Sequence, residues 1–338
     1  MITSSSQGKA GGLALAPNTK KSPGSFSRLI RSQSFKGYLF ISPWLIGFLV
    51  FGLYPLLNTF YNSFTKYNLF SDPQWIGLKN YQGIFTKDPV FVTTSWHMVL
   101  YVIVSTIISI CGGMILALLL NKKFPGNHIF RTIFYVPSLL VGVAIGLLFK
   151  QLFASGENGL ANEFLAVFHI GPFNWLGDSD RPYLAVIALI LVNLWFMGGT
   201  MLIFLAGLKG ISATYYEAAR IDGAGKWSTY WGITLPLLSP VVVFNTILTL
   251  IAHLKVFETP LVFAAAQGSV GSNPANPLGL HNGLSTYLLY MYVRGFVYNE
   301  FGYASALAIV FFAITLLLTL VVLTASKRFT YYAGESND

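Results

Sequence analysis

The chain has 338 residues, 54% of them hydrophobic, 16% aromatic and only 10% charged, a balance outside that of a soluble domain. Its formal charge of +9 gathers near the ends of apolar runs, and no soluble segment shows the basic patch with interleaved aromatics that nucleic acid requires. The single cysteine, Cys111, lies in an apolar run and excludes both a disulfide framework and a thiolate metal cluster.

Residues 1–37 form a basic tail, with Lys9, Lys20, Lys21, Arg28, Arg31 and Lys36 and no acid. It lacks a continuous apolar core followed by a small-residue cleavage site, so it reads as a largely disordered segment ending in a short surface stretch, not as a removable signal. Apolar runs then follow at about 38–61, 98–120, 130–153, 183–206, 236–264 and 304–325. Each reaches the roughly 18–20 residues that a helix needs to cross a bilayer. The stretch "AIVFFAITLLLTLVVL" does not alternate as a barrel strand would. The expected fold is an all-α membrane protein, a bundle of six transmembrane helices over 38–328 with a C-terminal tail at 329–338. Lys122, Lys123, Arg131, Lys209, Arg220, Lys226, Lys327 and Arg328 lie on one set of connections, and Glu157, Glu163, Asp178 and Asp180 on the other. The basic set marks the cytoplasmic side and places both termini there.

Catalytic constellations are missing. The five histidines have no metal-ligand or paired spacing, and no nucleophile elbow occurs. "GAGKWS" has Arg220 where a phosphate loop needs its first glycine and Trp227 where it needs Ser or Thr, so any ATP is hydrolysed by another chain. Within the helices, Lys255 and Glu258 are three apart and either pair on one helix face or line a polar pathway. His253 reads as a packing histidine. Asn193 either lines a pathway or bonds a neighbouring helix, and Gly142 with Gly146 forms a GxxxG spacing for close helix packing.

The polar island "TYYEAARIDGAGKWSTYWGITLP", Thr214 to Pro236, sits between two apolar runs. Thr214 and Glu217 have the spacing of a capping box, and Gly223 is placed to end the short helix in a left-handed conformation. Ala218 and Ala219 leave that helix narrow while Glu217, Arg220 and Asp222 supply charge. Pro236 and Pro240 frame the first turn of the following helix. A short, capped, narrow helix fits a socket on a partner protein; the plainer reading is a connector that turns the chain.

"EAARIDGAGKWSTYWGITLP" resembles the EAA signature of permeases in bacterial ATP-binding cassette importers, with Glu217, Ala218, Ala219, Asp222, Gly223, Ala224, Ile233, Leu235 and Pro236 matching. "YLFISPWLIGFLVFGLYPLLNTFYNSF", "WIGLKNYQGIF", "DPVF", "RTIFYVPSLLVGVAIGLLFKQLF", "LWFMGGTMLIFLAGLKGI" and "FGYASALAIVFFAITL" are similar to successive segments of the sugar-type branch, from Tyr38 to Arg328. The resemblance implies the type I importer permease fold in the bacterial plasma membrane. It implies a second homologous permease subunit, a cytoplasmic ATPase dimer that binds ATP and Mg, and an extracytoplasmic solute-binding protein delivering a sugar or oligosaccharide. This chain itself would hold no cofactor and no metal and would touch lipid but not nucleic acid. Residues 210–236 become the coupling loop, with Glu217, Ala218, Ala219, Asp222, Gly223, Ala224 and Pro236 as its ATPase-coupling residues.

Two departures stand out. The branch's "T-x-GGP" turn is replaced by Thr259-Pro260 and a longer outward loop over about 265–284, and Ser212 stands where the family has proline. Serine can cap that helix start. Sugar rings present flat apolar faces and hydroxyls, which makes Asn193, Trp195, Lys255, Phe257 and Glu258 the candidate substrate-pathway residues. The competing readings are a self-sufficient secondary transporter or channel for a small polar solute, and an assembly scaffold. A secondary transporter calls for related halves and midplane coupling-ion residues, and neither is evident.

Overall fold

The computed structural model describes residues 33–122, 124–140, 142–156, 159–178, 180–266 and 277–327. Most of the expected N-terminal tail, the expected C-terminal tail, and residues 267–276 of the expected outward loop lie outside the described residues. The chain falls into two units, Met1–Leu57 and Asn58–Asp338.

In the first unit α1 (Gln33–Phe48) leads into a π-helical turn, Leu49–Leu53. Proline has no N–H and its ring crowds the carbonyl four residues back, and the widened turn before Pro55 relieves both problems. Helix α2 (Tyr54–Asn62) begins in this unit and ends in the second.

In the second unit β1 (Thr65–Lys66) pairs antiparallel with β2 (Gln74–Trp75), setting Thr65 opposite Trp75 and Lys66 opposite Gln74. Then come α3 (Lys79–Thr86) and α4 (Pro89–Leu120). Helix α4 starts nine residues ahead of the apolar run expected at 98, because Asp88 caps it, accepting from the amides of Val90 at 3.0 Å and Phe91 at 3.1 Å, and Pro89 fits the first turn. Helices α5 (Asn127–Tyr135), α6 (Gly142–Leu152), α7 (Leu160–Ala166), α8 (Tyr183–Leu194), α9 (Met197–Gly210) and α10 (Ala213–Ile221) follow. The chain ends with α11 (Lys226–Thr229), α12 (Leu235–Leu254), α13 (Glu258–Ala266), α14 (Tyr287–Tyr292) and α15 (Phe301–Ser326).

Among the described residues four helical stretches are long and apolar enough to span a membrane: Gly37–Asn62, Pro89–Leu120, Lys226–Ala265 and Phe301–Ser326. Two bent pairs raise the number to six if each is one span: Asn127–Leu139 with Gly142–Leu152, bent by 98°, and Tyr183–Leu194 with Met197–Gly210, bent by 44°. The third and fourth expected helices are therefore broken, not straight. A 3-10 turn, Val136–Leu139, carries Pro137 in its first positions, and Leu140 is extended, which ends the first half of one pair. At the other break no proline intervenes. Phe196 leaves helical geometry (φ −94°, ψ 4°), and Gly198 lies so close to the Phe134 carbonyl that a Cβ has no room.

Helix α4 is the hub of this unit, packing on α8, α9, α12 and α14. In lipid the apolar side chains gain little from leaving hydrocarbon for one another, so close backbone approach carries much of the association. Small residues supply it. A Cβ at Gly207 would stand 2.8 Å from Leu238, and one at Gly146 would stand 3.0 Å from Val262. Gly142 faces Glu258 as Gly146 faces Val262, so the expected GxxxG packs α6 against α13 with the two helices parallel.

Candidate functional site

Where α4, α8, α9 and α12 meet, the second unit holds a cavity of about 390 Å³. Asn245, Thr249 and His253 enter it from α12 at four-residue intervals, which places them on one helix face. Ser109 and Tyr101 face it from α4, Asn193 from α8, Thr200 from α9, and the ring of Phe196 from the bend between α8 and α9. No Lys, Arg, Asp or Glu is among its lining residues. Such a wall offers hydrogen bonds in both directions and an aromatic face, without fixed charge.

A chain of hydrogen bonds fixes this wall. His253 Nε2 lies 3.0 Å from Asn193 Oδ1, and the Asn193 amide donates to Ser109 Oγ at 2.9 Å. An amide oxygen only accepts, so Nε2 carries a proton, and Nδ1 lies 3.1 Å from the Thr106 hydroxyl. Three helices are joined through one histidine. Asn245 likewise donates to the Thr200 carbonyl at 3.2 Å.

The structure places Asn193 in this wall, and it both lines the cavity and bonds a neighbouring helix. Trp195 is half-exposed and faces a separate groove beside His128 and Thr132. Phe257 lines another groove, with Tyr292 and Phe296. Lys255 and Glu258 do not share a helix: α12 stops at Lys255 and α13 begins at Glu258, so the expected three-residue spacing no longer aligns them, and no ion pair forms between them. The polar stripe of Asn245, Thr249 and His253 was readable from its four-residue spacing in "NTILTLIAH". Ser109 and Thr200 carried no comparable signal.

The polar island forms α10, nine residues long. Its cap is Ser212, whose hydroxyl accepts from the Thr214 amide at 3.3 Å; Thr214 lies within the first turn, so the expected Thr214–Glu217 box does not form. The other end closes as expected. Gly223 has φ +74°, its amide meets the Arg220 carbonyl at 3.2 Å, and the Ala224 amide meets the Ala219 carbonyl at 2.9 Å, the paired bonds of a Schellman ending. Glu217, Ala218, Arg220, Ile221, Asp222 and Gly223 are exposed, Ile221 at 86%, whereas Ala219 is buried at 6%. Ala224 and Pro236 are partly covered.

Pro236 lies in the first turn of α12, as expected, but the chain is already helical ahead of it. Helix formation begins at Lys226, and a π-helical turn, Tyr230–Thr234, precedes the proline just as one precedes Pro55. The Tyr216 hydroxyl lies 3.3 Å from Thr234 Oγ1, tying α10 to that turn. Through α12 the same helix continues to Asn245, Thr249 and His253 in the cavity wall.

A second polar cluster surrounds the start of α4. Besides its two capping bonds, Asp88 accepts hydrogen bonds from the hydroxyls of Tyr290 and Tyr303. Burial alone would raise the Asp88 carboxyl, but the bonds from Tyr290, Tyr303 and the Phe91 amide, with the nearby Arg294 charge, hold it below the ordinary 3.8. Arg294 pairs with Glu300 at 2.8 Å and lies 4.1 Å over the centre of the Tyr303 ring.

A family model described as "Binding-protein-dependent transport system inner membrane component" matches residues 109–331. The chain is 36% identical to the probable ABC transporter permease protein YesP of Bacillus subtilis, over 91% of this chain and 96% of that one. It is 32% identical to the arabinooligosaccharides transport system permease protein AraP of Bacillus subtilis, over 95% and 97%. It is 31% identical to the lactose transport system permease protein LacF of Rhizobium radiobacter, over 89% and 97%. Among solved structures, the fold is shared with a bacterial ABC transporter involved in import of the acidic polysaccharide alginate, with a TM-score of 0.74 at 21% identity, covering 90% of this chain and 99% of that one.

Proposed function

Because the chain belongs to the family of binding-protein-dependent transport system inner membrane components, and is a permease subunit of an ABC importer, we propose that its cavity is one half of a path for an uncharged sugar or oligosaccharide. The observation that carries this reading is the cavity wall: amides, hydroxyls and one imidazole around the Phe196 ring, with no Lys, Arg, Asp or Glu. A pyranose or furanose unit has the matching surface, hydroxyls at its rim and apolar faces. The names of AraP and LacF, an arabinooligosaccharide and a lactose permease, support the same class. In this reading Asn193, Asn245 and Thr249 contact the sugar, while Trp195, Lys255, Phe257 and Glu258 serve other surfaces.

The remaining parts follow from the same reading. Both bent pairs count as spans, giving six with both termini in the cytoplasm. A second homologous permease supplies the other half of the path, a solute-binding protein delivers sugar from outside, and an ATPase dimer binds ATP and Mg in the cytoplasm. Helix α10 seats in the ATPase, with Glu217 and Asp222 presenting charge and Ala218 allowing close approach. The Schellman ending at Gly223 and the Tyr216–Thr234 contact make α10 and α12 one lever, so movement of the ATPase reaches the cavity wall.

The test is uptake into vesicles containing the assembled transporter, with ATP inside, the binding protein outside, and arabinooligosaccharides, lactose and alginate oligosaccharides offered in turn. Uptake of a neutral sugar that requires ATP and the binding protein is the expected result. Transport confined to the acidic oligosaccharide would contradict the reading of an uncharged substrate.

A further inference from the structure

A second cavity, of about 430 Å³, lies apart from the first. Its walls come from the β1–β2 hairpin, from Asn80 on α3, from the segment joining α14 to α15, and from Tyr303 in the first turn of α15. Hydrogen bonds and an ion pair fix these walls. The Gly302 amide donates to the Tyr67 carbonyl at 3.0 Å, and Gly302 lies so close under the Thr65 carbonyl that no Cβ fits there. Asn80 donates to the carbonyls of Ser63 at 2.8 Å and Thr65 at 2.9 Å, holding α3 to the hairpin. The Glu300 amide donates to the Arg294 carbonyl at 2.9 Å, beside the Arg294–Glu300 ion pair.

The groups left over have a consistent chemistry. Lys66 and Gln74 are cross-strand neighbours, so both project to one face of the hairpin, and both line the cavity. Among the described residues neither side chain has a hydrogen-bond or ion-pair partner, and the same holds for Asn299. Glu300 adds an acceptor beside the Arg294 donors, an arrangement suited to adjacent hydroxyls. The rings of Tyr67 and Tyr303 add apolar faces.

We propose that this cavity is a second saccharide site, binding a sugar unit through Lys66, Gln74, Asn299 and the Arg294–Glu300 pair. The proposal rests on the reading of the chain as a sugar permease. A preformed concave pocket lined by amides, an ion pair and two phenol rings favours a sugar over a peptide loop, which would cover a broader and flatter surface.

The assembled transporter, free of binding protein and held in lipid nanodiscs, is applied to an array of neutral and uronate-containing oligosaccharides of two to six units. The K66M/Q74L double variant and, separately, E300Q alter exposed side chains outside the core. Thr249→Trp fills the first cavity. The expected result is that binding of the longer saccharides falls about tenfold or more in K66M/Q74L and E300Q and persists in Thr249→Trp. An array pattern in both outer variants equal to that of the wild type, alongside wild-type binding, would overturn the second site alone. A wild-type transporter that binds no saccharide without the binding protein would also overturn the second site, while the sugar reading itself fails only if no neutral sugar is taken up in vesicles with ATP and the binding protein present. If the outer variants keep the wild-type array pattern but no longer co-elute with the solute-binding protein, the pocket is a protein-docking surface and the proposal fails.

Discussion

His253 and Asn193 are joined across two helices, Nε2 to Oδ1 at 3.0 Å, and the bond is one link of a chain from Thr106 to Ser109. The histidine was expected to be a packing residue; it is satisfied on both ring nitrogens, and it also forms part of a cavity wall.

Removing this link leaves buried polar atoms unpaired. His253→Leu strands the Asn193 oxygen and the Thr106 hydroxyl, and each buried group left so costs about 1–3 kcal/mol in water-soluble proteins, with smaller values common in membranes. Thermal unfolding of the purified subunit in detergent is expected to shift down for His253→Leu. His253→Gln, which retains an amide donor and acceptor, is expected to recover part of that shift.

Filling the cavity tests passage directly. Thr249→Trp places an indole beside Asn245 and His253 in a space of about 390 Å³. Sugar uptake is expected to fall at least tenfold while the variant reaches the membrane in normal amounts. Uptake at the wild-type rate would move the path elsewhere.

The ending of α10 depends on backbone conformation. At φ +74° a β-branched side chain is strained, so Gly223→Val is expected to cost about 1 kcal/mol or more and to loosen the turn that fixes α10. The measurement is binding-protein-stimulated ATP hydrolysis, expected to drop in Gly223→Val and to be nearly preserved in Gly223→Asn, since Asn tolerates that conformation.

Asp88 gives a pH signature. Its carboxyl titrates below the ordinary 3.8 in the folded chain, so the stability it contributes is present above that ordinary value and is lost as pH falls through the folded value. The midpoint of thermal unfolding is therefore expected to decline below about pH 4 in the wild type. Asp88→Asn is expected to start lower and to lose that part of the decline.

The helical fold was legible because each apolar run was long enough to have only one solution in lipid. What stayed hidden was where those runs break. The bend at Phe196 rests on Gly198 meeting the Phe134 carbonyl, a contact between residues far apart in sequence. Pro236 does stand in the first turn of α12, but its spacing gave no sign that a π-helical turn joins that helix to one already begun at Lys226. Thr214 and Ser212 are both good caps two residues apart, and local propensity does not choose between them. Lys255 and Glu258 seemed paired only so long as one helix carried both. In the candidate site, Asn193 was visible as a lone amide in an apolar run, while Ser109 and Thr200 join it only once α4 and α9 pack together.

The most direct measurement is disulfide crosslinking between α10 and the ATPase in the assembled transporter. Ala219, being buried, is a poor reporter, so the cysteine belongs at its exposed neighbour, Ala218, with the exposed Cys111 replaced by Ser. Coupling through α10 requires a crosslink to cysteines around a groove of the ATPase, with a yield that changes when ATP is added. No crosslink at any groove position, in a complex where the ATPase demonstrably co-purifies, would make α10 a connector and contradict the lever from α10 through α12 to the cavity.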